Sequence, residues 1–152
     1  MEIGIWLLEI ILMFHLKIIT PEKVAIERDA DSVTVPSEDG EITILARHTN
    51  LFSLLKEGII RIKKDQQEDL LAIGGGYVET NGEEVNILVS KAYHQDEIDK
   101  GLTEKAVEDA KKILTSSADL KERQEAGAIL RRSLVALKLL KKRAPKSFSG
   151  NV

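Results

Sequence analysis

The sequence predicts an antiparallel β-sandwich, in effect a flattened barrel, followed by an antiparallel two-helix hairpin. Three observations carry this. Apolar and polar residues alternate in short bursts as far as Ser90, turn-forming residues separate the bursts, and past His94 the apolar spacing changes to three or four. Alternation puts every second side chain on one face of a strand, whereas the wider spacing lines one side of a helix.

Taken in order, Leu16, Ile18 and Thr20 make the first burst, then Val33 and Val35, Ile42 and Ile44, Ile60 and Ile62, and Val85, Ile87 and Val89. Between them stand Thr20-Pro21, the stretch from Pro36 to Gly40, Lys56 to Gly58, Lys64 to Glu68 and Asn81-Gly82. Bursts so close together leave no room for the helical crossovers of a parallel sheet, so antiparallel pairing is expected. Asn81-Gly82, between "GYVET" and "VNILVS", is the strongest hairpin signal, since both residues tolerate positive φ.

Leu102, Ala106, Ala110 and Ile113/Leu114 predict the first helix. "TSSAD" breaks it, with Ser116 and Asp119 at capping-box spacing. The second helix runs through Ile129/Leu130, Leu134, Leu137 and Leu140, with acids in its first turns and bases in its last, as its dipole favours. Glu104, Glu108 and Asp109 of the first helix are expected beside those bases, in exposed pairs worth only ~0–1 kcal/mol each. Ala106, Ala110 and Gly127 near the stripe bury little area, so the hairpin is expected to be able to leave its dock. The domain reading is residues 1–12 as an N-terminal extension, 13–95 as the sandwich, 96–144 as the hairpin and 145–152 as a tail.

Composition narrows the function. Of 152 residues 43% are apolar and 31% charged, the profile of a folded, soluble protein, and the absence of cysteine excludes disulfides and thiolate metal sites. From Asp119 to Lys146 there are nine Lys or Arg against three acids, a surplus of six in a chain of net charge −3, so the remainder carries −9. Such asymmetry points to a basic arm with an anionic partner. The apolar opening "MEIGIWLLEIILMFH" is broken by Glu2 and Glu9, lacks an Ala-x-Ala site and falls short of the ~20 residues that span a bilayer. It reads as neither signal peptide nor membrane span, and Met13 is an alternative start.

No motif argues for catalysis. "IGGGYVE" lacks the following helix and lysine of a phosphate loop, so its glycines read as a strand irregularity. His15, His48 and His94 show no ligand spacing, and no nucleophile elbow accompanies the serines, so neither a metal nor a catalytic site is expected. The basic residues of the second helix, Arg123, Arg131, Arg132, Lys138, Lys141 and Lys142, suit a solvated face, a protein partner or, as the rival reading, a nucleic acid. Phe148 is the one aromatic near them, which disfavours single-strand stacking.

"FHLKIITPEKVAIERDADSVTVPSEDGEITIL", "LLKEGIIRIK" and "AIGGGYVETNGEEVNILV", in this order, resemble the epsilon subunit of F-type ATP synthases, called delta in mitochondria. The likeness spans Phe14 to about Arg143. It implies a non-catalytic central-stalk subunit, peripheral on the cytoplasmic face of a bacterial inner membrane, that couples ring rotation through gamma to ATP synthesis. It implies partners in the gamma subunit and the c ring, with no nucleic acid. It also implies contact with the catalytic beta subunit when the hairpin extends and blocks ATP hydrolysis through its basic second helix. Glu41 and His48, with Arg47, match positions facing the c ring at the bottom of the sandwich; Gly75, Gly76 and Tyr77 are candidates for contact with gamma. The chain departs from the family at Thr43, Ala46-Arg47 and Thr49-Asn50, where Gly, Pro-Gly and Ala-Pro are usual. Some members bind ATP through an Ile/Leu-Asp-x-x-Arg-Ala motif; here Ile98-Asp99 match but Leu102 and Thr103 replace Arg and Ala. Without the guanidinium fork no ATP binding, and so no cofactor, is expected.

Overall fold

A computed structural model describes residues 12–47 and 50–142. The expectations resting on residues 1–11, on His48 and on residues 143–152 lie outside the described residues. Ten strands run in order: β1 (Phe14–Ile19), β2 (Val24–Ala30), β3 (Ser32–Ser37), β4 (Gly40–Leu45), β5 (Leu51–Leu55), β6 (Gly58–Lys64), β7 (Gln67–Ile73), β8 (Gly76–Thr80), β9 (Glu84–Val89) and β10 (Ala92–His94). A single 3-10 turn, Gln95–Glu97, then leads into α1 (Lys100–Ser116) and α2 (Leu120–Lys141).

The strands pair in the order β10-β7-β6-β3-β5-β8-β9-β1-β2, with β4 on β3. β3 serves both layers, because its start pairs with β6 while Ser37 at its end meets Leu55 of β5. The two ends of the path meet through side chains. Arg28 Nη2 of β2 donates to Asp69 Oδ2 of β7 at 2.7 Å, and His94 Nδ1 of β10 stands 3.8 Å from Asp69 Oδ1. The sheet is therefore a nearly closed flattened barrel.

One pairing departs from expectation. β1 runs parallel to β9, with Leu16 opposite Val85 and Ile18 opposite Ile87. Close spacing constrains only sequence neighbours; β1 and β9 are separated by most of the sandwich, far more chain than a parallel connection needs.

The alternating residues fill the interior. Phe14, Leu16, Ile18, Val33, Val35, Ile44, Ile60, Ile62, Val85, Ile87 and Val89 belong to one buried cluster. β7 behaves differently, since Leu71 and Ile73 face that interior while Leu70 and Ala72 face outward and are buried against Leu139 of α2. Its uninterrupted "LLAI" is thus the sequence mark of a strand covered on both faces. In the β8–β9 turn Gly82 takes φ +95, and Asn81 Oδ1 accepts from the backbone N–H groups of Glu83 and Glu84.

Asp99 caps α1, its Oδ1 accepting from Leu102 N at 2.9 Å, and Asp119 caps α2. The capping box expected from Ser116 does not form. Ser116 ends α1 and its hydroxyl donates back to Lys112 O; at the start of α2 Asp119 Oδ1 accepts from Lys121 N, while Ser117 Oγ accepts from Asp119 N and donates to Glu122 Oε2. The buried side of α1 is Val107 and Ala110 rather than a stripe through Leu102, which is 68% exposed. Among the described residues no ion pair joins the acids of α1 to the bases of α2; Arg131 instead reaches Glu57 of the sandwich at 3.4 Å. The arm is lightly packed, with Val107, Ala110, Ala126 and Leu139 its only buried residues among those described.

Candidate docking surfaces

The outer face of β5-β8-β9-β1-β2 is graded. In register, Leu54 stands opposite Tyr77, Tyr77 opposite Leu88, Leu88 opposite Ile19 and Ile19 opposite Val24. This apolar row crosses five strands. Leu54 is 52% and Val24 49% exposed, and beside the row Phe52, at 63%, sets its ring 5.2 Å from that of Tyr77. The inward parity of the same strands is filled by Leu55, Val78, Ile87 and Ile18, which leaves these apolar side chains no interior to enter. The next outward row, which starts at Phe52, turns polar across the sheet: Glu79, Asn86, Lys17 and Glu27, the last displaced by the register shift between Ile18 and Ile19.

Of the residues singled out as contacts on this side, Tyr77 lies on the row but Gly75 and Gly76 do not. A Cβ on Gly76 would collide with Leu88 O and the Val89 backbone, so this glycine lets β8 and β9 approach. Gly75 holds the same corner, its carbonyl accepting from Ser90 N at 3.0 Å. No phosphate loop forms here. Phe52 and Leu54 were not legible as surface, because "NLFSLLKEG" reads as an ordinary apolar run, and Leu88 was not because "VNILVS" does the same.

At the polar end His15 lies between two carboxylates, 3.1 Å from Glu27 Oε1 and 3.2 Å from Asp29 Oδ1. Hydrogen bonding, first to Glu27 and then to Asp29, raises the His15 pKa above its ordinary 6.5. The same bond, followed by the charge of Lys17, lowers Glu27 below 4.5. The signs define a window. The His15 contribution is fully present below about pH 6.5 and is lost as pH rises through the higher folded value; that of Glu27 is present above about pH 4.5 and is lost as pH falls through the lower folded value. An NMR titration of His15 is expected to give a midpoint above 6.5 that drops in Glu27→Gln; a midpoint indifferent to that change would show the pairing is not made in solution.

Glu41 and Arg47 are not brought together. Glu41 is the second residue of β4, which is paired along β3 from Gly40 to Leu45, and Arg47 lies in the turn two residues past its end. The four extended steps from Glu41 to Leu45 alone cover about 13 Å. Glu41 lines a groove of about 320 Å³ with Lys56, Glu57, Arg61, Lys138 and Lys142, beside the arm. Arg47 sits at the other end, its N–H donating to Gly82 O at 2.8 Å, in the left-handed region at φ 61. Glu41 and Arg47 therefore do not share the single tip expected of them, because β4 is a regular strand.

The basic residues of α2 are spread around it. Arg123 and Lys141 are exposed, Arg131 pairs with Glu57, and Lys138 and Lys142 line the Glu41 groove. Arg132 lines another groove, of about 370 Å³, with Tyr93, Asp99, Leu102 and Ile129. That groove holds what corresponds to the nucleotide motif, yet Asp99 is committed to capping α1 and Leu102 offers no donor. Among the described residues no cluster of three or more His, Asp or Glu could hold a metal, and no helix is long and apolar enough to cross a membrane.

The arm docks on the sandwich through Leu70, Ala72 and Leu139, flanked by Ile59, Ile98 and Val135. A strand platform with an outward apolar row and a lightly seated helical arm places the protein in the sandwich-plus-hairpin class. Residues 13–95 match the family described as ATP synthase, Delta/Epsilon chain, beta-sandwich domain, and the chain belongs to that family. It is 33% identical over 122 residues to the cyanelle ATP synthase epsilon chain of Cyanophora paradoxa, covering 80% of this chain and 92% of that one. It is likewise 33% identical over 125 residues to the ATP synthase epsilon chain of Chloroflexus aggregans, covering 82% and 90%. The fold is shared with a chain in the Euglena gracilis mitochondrial ATP synthase, OSCP/F1/c-ring, with a TM-score of 0.76 and 23% identity over 85% of this chain and 82% of that one.

Proposed function

We propose that this chain is the epsilon subunit of a rotary ATP synthase, a non-catalytic member of the central stalk that sits peripherally on the cytoplasmic face of a bacterial inner membrane. The observation that carries the reading is the apolar row from Leu54 to Val24, with Phe52 beside it, on a chain of this family. The row is the docking face for gamma, and on the order of 800 Å² per side is typical of a stable interface. Apolar burial is weakly sensitive to salt, so association with gamma should persist at high ionic strength. The polar corners at Glu41 and at Arg47 serve the c ring, in two separate contacts. Coupling then needs only rigidity, since a closed platform gripping gamma and the ring turns with both.

The arm carries the regulatory part. Few buried residues hold it, and its exposed Leu102, Leu120 and Leu134 together with its bases suit an acidic, partly apolar surface of the beta subunit. Truncation after Lys100 should raise ATP hydrolysis by the assembled complex severalfold, since ~1 kcal/mol already shifts an equilibrium about fivefold; unchanged hydrolysis would remove inhibition from the proposal. The arm works without bound nucleotide, because Asp99 is occupied as a cap and Leu102 stands in place of arginine. Equilibrium dialysis of the isolated chain with ATP should show no retention, and retention would overturn this part. A nucleic-acid role has only the spread-out bases of α2 in its favour, and would show as salt-steep binding to DNA or RNA.

A further inference from the structure

Gln95 ends the strand platform just after β10, and its side chain reaches the far end of the arm. Its Nε2 lies 3.1 Å from Leu139 O, 3.4 Å from Leu140 O and 3.1 Å from Lys142 O. These belong to the last turn of α2 and the residue after it, where backbone carbonyls lack partners within the helix. Helix ends are usually closed locally, by a glycine that turns the chain back or by a base in the last turn. Here there is no glycine, the last-turn bases Lys138 and Lys141 make no side-chain hydrogen bond to these carbonyls among the described residues, and Lys142 caps with extended φ and ψ, its N–H reaching Leu139 O. The donor comes instead from another layer of the protein. Three carbonyl oxygens around one group admit only the amide's nitrogen, which fixes its orientation, and two N–H bonds serve three acceptors.

We infer that Gln95 is the clasp of the arm: its amide holds α2 on the platform, and loss of that donor releases the arm from β7. The inference rests on the reading that the arm can leave its dock. It assigns the hold to one polar side chain in addition to the small apolar seat. The seat itself is Leu70 and Ala72 under Leu139, three buried residues. When the arm is docked, the carbonyls at the end of α2 are half-buried and need this donor. When the arm leaves, water satisfies them, so the clasp favours the docked state alone.

Thiol reactivity tests this in the full chain, which has no cysteine of its own. Ala72→Cys places one thiol under Leu139, where it reacts only when the arm lifts; Val78→Cys places one in the sandwich interior, where it reports global opening. In the Ala72→Cys background, Gln95→Met keeps the length of the side chain but removes the donor, and should raise the labelling rate about tenfold, the factor that one lost buried hydrogen bond carries. Gln95→Lys returns a donor, now charged and suited to a helix C-terminus, and should restore the slow rate. The Val78→Cys thiol should stay equally protected in all three.

A rate unchanged by Gln95→Met overturns the clasp, as does a Lys variant as open as the Met variant, which would leave only a packing role. A Val78→Cys rate that rises in step with the Ala72→Cys rate also overturns it, since the change would then be global. If Gln95 only capped the last turn, the Ala72 thiol would remain protected while that turn frayed. Hydrolysis by the complex assembled with Gln95→Met separates the two readings: faster labelling with unchanged hydrolysis supports the clasp and removes the inhibitory role of the arm.

Discussion

Replacing Phe52 by aspartate is expected to weaken association with a gamma subunit at least thirtyfold, about 2 kcal/mol, the loss typical of an aromatic anchor at the centre of an interface. Phe52 is 63% exposed in the isolated chain and is stacked at a tilt on Tyr77, so its ring is already held in place before any partner arrives. Holding it beforehand lowers the entropic cost of binding. A carboxylate there would lose that contact and would also be desolvated without a partner. Because the side chain faces outward, the variant should melt within a few degrees of the wild type. Titration calorimetry with purified gamma reads the affinity. Undiminished binding by Phe52→Asp would move the docking face elsewhere on the platform.

The second large effect concerns folding. Gly76→Ala is expected to destabilise the chain by about 2 kcal/mol, lowering the melting temperature by roughly 5–10 °C. The added methyl would meet backbone atoms, Leu88 O and Val89 Cα, which cannot swing aside as a flexible side chain can. The same substitution at Gly127 in α2 should have the opposite sign, gaining about 0.5–1 kcal/mol, because a Cβ there meets only the tip of Arg131 at 3.5 Å. Thermal unfolding of the two variants side by side checks both signs. A tolerated Gly76→Ala would mean that β8 and β9 part more readily than their register implies.

Sequence alone revealed those strands whose one face is buried and whose other is wet. β1 and β9 alternate cleanly, as does β3 up to Val35 and β6 from Ile59 to Lys63, and all four are found where the alternation puts them. β2 was hidden, because "VAIERDA" puts Arg28 at an inward position between Ile26 and Ala30; only the later partner Asp69 explains it. β7 was hidden for the reverse reason, its second face being covered by an element more than sixty residues downstream. For the surfaces, single residues could be named but their company could not. Tyr77 was legible, whereas the row from Leu54 to Val24 exists only once five strands are in register. Glu41 and Arg47 are close in sequence and far apart in space, since an extended strand lies between them. Gln95 gave no signal at all, because a glutamine after a strand announces nothing about carbonyls forty-four residues away.

The parallel contact of β1 with β9 has a consequence for how the chain comes into being. β1 lies between β2 and β9 in the pairing order, so on one side it waits for a neighbour made late. During synthesis the hairpins β3–β4 and β6–β7 can form as they emerge, but Phe14 to Ile19 cannot be sealed in until residues up to Leu88 have been delivered. Loop closure over such a distance slows folding, which makes insertion of the first strand a natural candidate for the last step of maturation. A nascent chain stalled before residue 84 should hold its central hairpins while its opening strand stays open to protease.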